Sequence, residues 1–211
     1  MRITACDRRR QMLYRLTLDD GAMVVEVDVR TFDESGLRVG DSLDGEALDA
    51  LCVASDERRA RETALYLLSQ RSHSRVELER KLSRRASRET AVATAQRCEE
   101  LGLVDDARYA QTLARDLCTY KLYSRQHILQ ELAARGVSRD VAREAVDALE
   151  IDDEEQAVAL LQRKYSHKLA DEDGRRKTAA ALVRAGFEYR TVRRAMERVA
   201  QTFADEDIDC P

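Results

Sequence analysis

The chain has 211 residues, of which 36% are charged and only 5% aromatic, with no Trp and a single Pro at its last position. That bias favours long exposed helices over sandwiches or barrels, and the length accommodates two or more small cores. No apolar run approaches membrane-spanning length and nothing apolar follows Arg8, Arg9 and Arg10 in the manner of an export signal. Five scattered cysteines without a CxxC pair read as reduced thiols, so a soluble cytoplasmic protein is expected.

The formal net charge of −4 conceals an uneven distribution. Residues 1–57 carry 7 Lys/Arg against 13 Asp/Glu, residues 58–204 carry 29 against 23, and the tail 205–211 adds 4 acids. An acidic front and tail therefore flank a basic middle, densest over Arg71 to Arg88 and Arg163 to Arg198. Taken one run at a time, such charges are as readily solvated helix faces laced with i,i+4 pairs.

Residues 12–29 alternate around Tyr14, Leu16 and Leu18, turn at Asp20-Gly21, and alternate again through Met23, Val25, Val27 and Val29, which predicts a two-stranded β-hairpin. Leu37 to Asp41 reads as a turn, and Asp44 can cap a short helix carrying Leu48, Leu51 and Val53 on one face. From about Glu57 the pattern is helical and repeats every 50 residues: Leu82, Leu132 and Leu182 align, as do Leu78 with Ile128, Ser74 with Ser124, and Arg75 with Arg125 and Arg175. Gly136 and Gly186 suit left-handed helix ends with Val137 and Phe187 as apolar locks, whereas Ala86 breaks this in the first copy.

Each copy reads as three helices. In the first, Arg61 to Gln70 presents Ala64, Leu65 and Leu68, Ser74 and Glu77 make a capping box, and a third helix runs to Glu100 before Gly102. In the second, Tyr109, Leu113 and Leu117 form one stripe, Ile128, Leu129 and Leu132 the next, and Ser138 caps a helix carrying Val141, Ala145, Ala148 and Leu149. In the third, Asp152 and Glu155 open a helix with Leu160, Leu161 and Tyr165, and Val192, Ala195, Met196, Val199 and Phe203 close the chain. The expected organisation is mainly α: a small N-terminal β-hairpin module (1–56), three-helix repeats at 57–104, 105–150 and 151–204, and an acidic tail (205–211). Nine helices and no strand are expected over 58–203.

Four strings carry a family resemblance. Ala64-Leu65-x-Leu67-Leu68-x-x-Arg71-x-x-Ser74-x-x-Glu77-Leu78-x-x-Lys81-Leu82 and Leu101-Gly102-Leu103-Val104-Asp105-Asp106-Ala107-Arg108-Tyr109-Ala110 are similar to the opening and central signatures of RecX. Ser124-Arg125-x-x-Ile128-x-x-Glu131-Leu132-x-x-Arg135-Gly136 and Leu182-x-x-x-Gly186-Phe187 continue it in order and spacing, so the chain resembles that family from about 58 to 203. The resemblance implies a monomeric regulator that binds filaments of the RecA recombinase, with the single- or double-stranded DNA inside the filament as a further contact, and limits their growth or activity. Tyr123-Ser124 stands where the family often has Gly-Pro, and the negative total charge weakens any expectation of strong free-DNA binding.

The candidate contact residues are Arg75, Arg125 and Arg175, which recur at the expected start of each second helix, with Arg80, Lys81, Arg84, Arg85, Arg135, Arg176 and Lys177 continuing those helices. Cations at a helix start oppose its dipole and so are placed there for something other than helix stability. Asp105 and Asp106 sit where a cap is needed rather than a metal, and His73, His127 and His167 match no catalytic signature. Neither a catalytic nor a metal set is expected, nor any cofactor. Tyr66, Tyr109, Tyr120, Tyr123 and Tyr165 read mostly as core. A second reading is an autonomous helix-turn-helix DNA-binding regulator with Arg190, Arg193, Arg194 and Arg198 on its recognition helix.

Overall fold

The computed structural model describes residues 1–10, 12–169 and 171–206, with side chains as far as Gln201. The acidic tail beyond Glu206 and the Phe203 side chain lie outside the described residues. The chain forms two units, Met1–Val104 and Asp105–Pro211.

The first unit opens with strands β1 (Ile3–Arg9), β2 (Leu13–Leu18) and β3 (Met23–Asp28), paired antiparallel in that order. The hairpin expected over 12–29 is β2 and β3, with Leu16 opposite Val25 and Tyr14 opposite Val27. Strand β1 was not expected. It starts on the buried Ile3 but ends on the exposed Asp7, Arg8 and Arg9, so alternation fails where the strand becomes a solvated edge. The hairpin ends a residue early because Asp28 turns the chain into α1 (Val29–Ser35), its carboxylate accepting the Thr31 N–H at 3.0 Å, and Gly36 ends that helix at φ 72°.

Helix α2 (Gly45–Gln70) replaces the two shorter helices read from the sequence. Asp44 caps it at Ala47 N, and the run contains no Pro or internal Gly to interrupt it, so the chain passes through residues 56–57 as one helix. Its N-terminal half packs Leu48 and Leu51 against the sheet core of Ile3, Leu16, Leu18, Val27 and Phe32. Val53, expected on that face, is 55% exposed, since a two-residue step from Leu51 turns to the opposite side. The C-terminal half joins α3 (Arg75–Leu82) and α4 (Arg88–Glu100) around Ala64, Leu78, Leu82, Ala91 and Ala95. Leu65, also expected inside, is 56% exposed.

The second unit contains α5 (Asp106–Asp116), α6 (Arg125–Ala134), α7 (Arg139–Asp147), α8 (Asp153–Lys164), α9 (Glu172–Arg184) and α10 (Tyr189–Glu206). Among the described residues nine α-helices, α2 to α10, thus span 58–203, with a π-helical turn at Leu117–Lys121, a 3-10 turn at Ser166–Lys168 and no strand. Leu82, Leu132 and Leu182 are 1%, 0% and 0% exposed, as the 50-residue register requires. In α7 the buried stripe is Ala142, Ala145 and Val146; Ala148 lies past the helix end and is exposed. Tyr66 and Tyr120 are exposed rather than core.

Candidate functional site

Serine caps set the first two copies of the motif. The Ser74 hydroxyl accepts from Glu77 N at 3.1 Å and the Ser124 hydroxyl from His127 N at 3.1 Å, so Arg75 and Arg125 are the first residues of α3 and α6. The third copy differs. Asp171 caps α9 through Gly174 N at 2.6 Å, and Arg175 becomes its fourth residue rather than its first. Gly174 stands where the other copies have Ser and lies inside the helix, which starts one turn earlier; a Cβ added to it there would clash with Lys168 O.

The basic side chains project from these helices, and five of them have local carboxylates. Arg75 pairs with Glu79 at 3.7 Å and Glu99 at 3.5 Å, Arg125 with Asp147, and Arg135 with Glu131 at 3.4 Å. Arg176 and Lys177 share Asp173 at 2.9 and 2.6 Å, holding its carboxyl below the usual range, while Arg175 donates to Leu169 O at 3.2 Å. Exposed pairs of this kind are weak and exchangeable, so they leave the guanidinium groups available to a phosphate or a partner carboxylate. Arg80, Arg84 and Arg85 lie exposed at the end of α3 and in the turn after it. Arg84 and Arg85 have no ion pair among the described residues.

Lys81 has another role. Its ammonium group donates to His73 Nε2 at 2.8 Å, and His73 Nδ1–H donates to Arg71 O at 2.9 Å. His73 is 2% exposed, and burial, followed by the neighbouring Arg71 charge, pushes its pKa down, so the ring is a neutral strut in the α2–α3 turn. The sequence does not reveal this, because nothing apolar surrounds His73 along the chain.

Asp105 caps α5 through Arg108 N at 2.9 Å, as its position suggested. Among the described residues no group of three His, Cys, Asp or Glu side chains is placed to hold a metal ion. No helix of the described residues is long and apolar enough to cross a membrane. Of the arginines assigned to a recognition helix, Arg194 and Arg198 are bound to Glu154 and Arg198 also to Glu155, at 2.9–3.2 Å, and Arg193 pairs with Glu197.

The fold defines a chain of three-helix domains that carry basic residues on exposed helix faces. Family models described as the second and the third three-helix domain of RecX match residues 105–146 and 152–196. The regulatory protein RecX of Stenotrophomonas maltophilia (strain R551-3) is 38% identical over 146 residues, covering 66% of this chain and 89% of the relative. That of Prosthecochloris aestuarii is 32% identical over 147 residues, covering 69% and 96%. A crystal structure of regulatory protein RecX superimposes with a TM-score of 0.61 at 19% identity over 93% of this chain and 98% of the other. RecX from Lactobacillus salivarius does so at 0.56 and 23% over 70% and 99%. The chain belongs to the RecX family of regulatory proteins.

Proposed function

We propose that this protein binds RecA recombinase filaments in the cytoplasm and restrains their recombination and DNA-repair activity, acting as a monomer without catalysis or cofactor. The recurrence of Arg75 and Arg125 directly after serine caps of equivalent helices supports this reading most strongly. A filament presents the same acidic or phosphate surface to each step along its axis, and the first two copies answer it with the same cation at the same helix position. Arg80, Lys81, Arg84, Arg85, Arg135, Arg175, Arg176 and Lys177 extend the contact on either side. For Arg135, Arg176 and Lys177, whose carboxylate partners Glu131 and Asp173 are partly exposed, the exchange of a local pair for a filament contact costs little. Co-sedimentation with RecA filaments assembled on single-stranded DNA tests the proposal: the protein pellets with filaments and stays in the supernatant with DNA or RecA alone. Failure to pellet with filaments at low salt overturns it.

A further inference from the structure

We propose that the cleft between the N-terminal sheet and the α3–α4 turn is a binding site for a phosphate group, built around Arg59 and Arg85. The cleft has a volume of about 230 Å³ and apolar walls that include Met12, Ala60 and Leu82. Both arginines line it, and neither has an ion pair or a side-chain hydrogen bond among the described residues. Arg59 is half-buried. A half-buried guanidinium without a counter-charge is an unusual thing for a fold to keep, because its desolvation is ordinarily offset by a carboxylate.

Two carboxylates, Asp28 and Glu62, also line the cleft, and these and the acids around it have other partners. Asp28 accepts from Thr31 N at 3.0 Å and Thr31 Oγ1 at 3.3 Å and has Arg58 Nε 3.8 Å away; Glu62 pairs with Arg30 at 3.8 Å. Asp56 accepts from Ser87 N at 2.9 Å, and Glu26 pairs with Arg15 at 3.2 Å. Neither Asp28 nor Glu62 is paired with Arg59 or Arg85 among the described residues, so the two guanidinium groups keep their hydrogen-bonding capacity for a ligand.

The placement of Arg85 follows from the departure of the first repeat from the glycine pattern. In the other two copies this turn carries Gly136 at φ 79° and Gly186 at φ 86°, each followed by a buried apolar residue, Val137 or Phe187. In the first copy Ala86 is not left-handed, and the next residue is Ser87, whose N–H is tied to Asp56 of α2. The turn is thus drawn onto the α2 surface that carries Arg59, and Arg85 faces the same space. Two planar guanidinium forks on one cleft match a tetrahedral oxyanion, whether it belongs to a nucleic-acid strand or is free in solution.

The site is tested on the full chain without recombinase, so its outcome is separate from that of the filament reading. Pyrophosphate is titrated at constant ionic strength by calorimetry, and a fluorescein-labelled oligothymidylate by anisotropy. The expected result is that Arg59→Gln and Arg85→Gln each weaken binding by about ten-fold or more, as loss of a charge-assisted contact does, while Arg193→Gln has no effect. Should Arg59→Gln fold poorly, the exposed Arg85→Gln and the charge-conserving Arg59→Lys carry the test. Binding of pyrophosphate alone identifies a free phosphoanion, and binding of both in competition identifies a strand phosphate. Absence of both, or binding that the two substitutions leave unchanged, overturns the site.

Discussion

The Ser124 hydroxyl ties two repeats together. It accepts from His127 N at 3.1 Å to cap α6 and donates to Ala185 O at 3.1 Å at the end of α9, 61 residues away. The side chain is fully buried, and Asp153, from the first turn of α8, accepts from the Arg125 N–H at 2.8 Å beside it. The junction between the second and third copies is therefore built on hydrogen bonds at helix ends as well as on apolar contact.

Gly186 is the neighbour that permits this contact. A Cβ at Gly186 would lie 2.6 Å from Ser124 Oγ and 3.1 Å from His127, and its φ is +86°. Gly102 also has a positive φ, +69°, but nothing within 4 Å of the added atom. Gly102→Ala should therefore cost only the left-handed penalty, about 1–2 kcal/mol, and Gly186→Ala distinctly more. Urea unfolding of the two variants checks the difference; equal losses would mean that the Ser124 junction yields freely.

Position 178 carries a fault that the other copies lack. Leu78 and Ile128 are fully buried, and their counterpart Thr178 is 1% exposed with no partner for its hydroxyl among the described residues. Valine has nearly the same shape and no polar atom. Thr178→Val should raise stability by about 1–3 kcal/mol, the cost of an unsatisfied buried group, read as a higher denaturant midpoint with an unchanged slope. A loss of stability would show that the hydroxyl has a partner.

The leucines at 82, 132 and 182 and the serine caps were legible because core spacing and capping are local: residues close in sequence decide them. Strand β1 was not, because one end of it is an edge whose side chains face water. The length of α2 was not, because a helix that changes its packing partner midway shows two unrelated apolar faces, Leu48 and Leu51 followed by Ala60 and Ala64. The basic set could be read as a pattern, yet its partners could not: Asp147 reaches Arg125 and Glu99 reaches Arg75 from other helices, at separations that no helical period announces.

The His73 strut gives an acid dependence. Its folded pKa lies below the usual histidine value of about 6.5, chiefly through burial and then Arg71 and Lys81, with Glu77 acting in the opposite sense. Below pH 6.5 the unfolded chain binds a proton that the folded chain resists, so stability contributed by neutral His73 is present above that value and lost as pH falls beneath it. Glu77, whose pKa is depressed by Arg71, adds a second loss lower down, as pH falls through the carboxylate range. His73→Gln should flatten the dependence of the unfolding midpoint between about pH 5 and 6.5. An unchanged slope there would place the titration elsewhere.

The proposed filament contact can be separated from the fold by charge. Arg75, Arg84, Arg125, Arg135 and Arg176 lie at or near the surface, and the ion pairs of Arg75, Arg125, Arg135 and Arg176 join partly or fully exposed side chains. Each such pair is worth about 0–1 kcal/mol, so reversing all five to Glu should lower stability modestly and leave the helical circular dichroism intact. Filament co-sedimentation should be abolished by the same change, and single reversals should lower both affinity and its salt dependence. Arg84 provides the sharpest comparison, because with no carboxylate partner among the described residues it loses nothing within the fold when reversed. Arg193→Glu, on the α10 surface where the second reading places its recognition helix, is the matching control. If the fivefold variant pellets with filaments as the parent does, at the same salt dependence, the contact lies outside these helices and the sheet module becomes the next place to look.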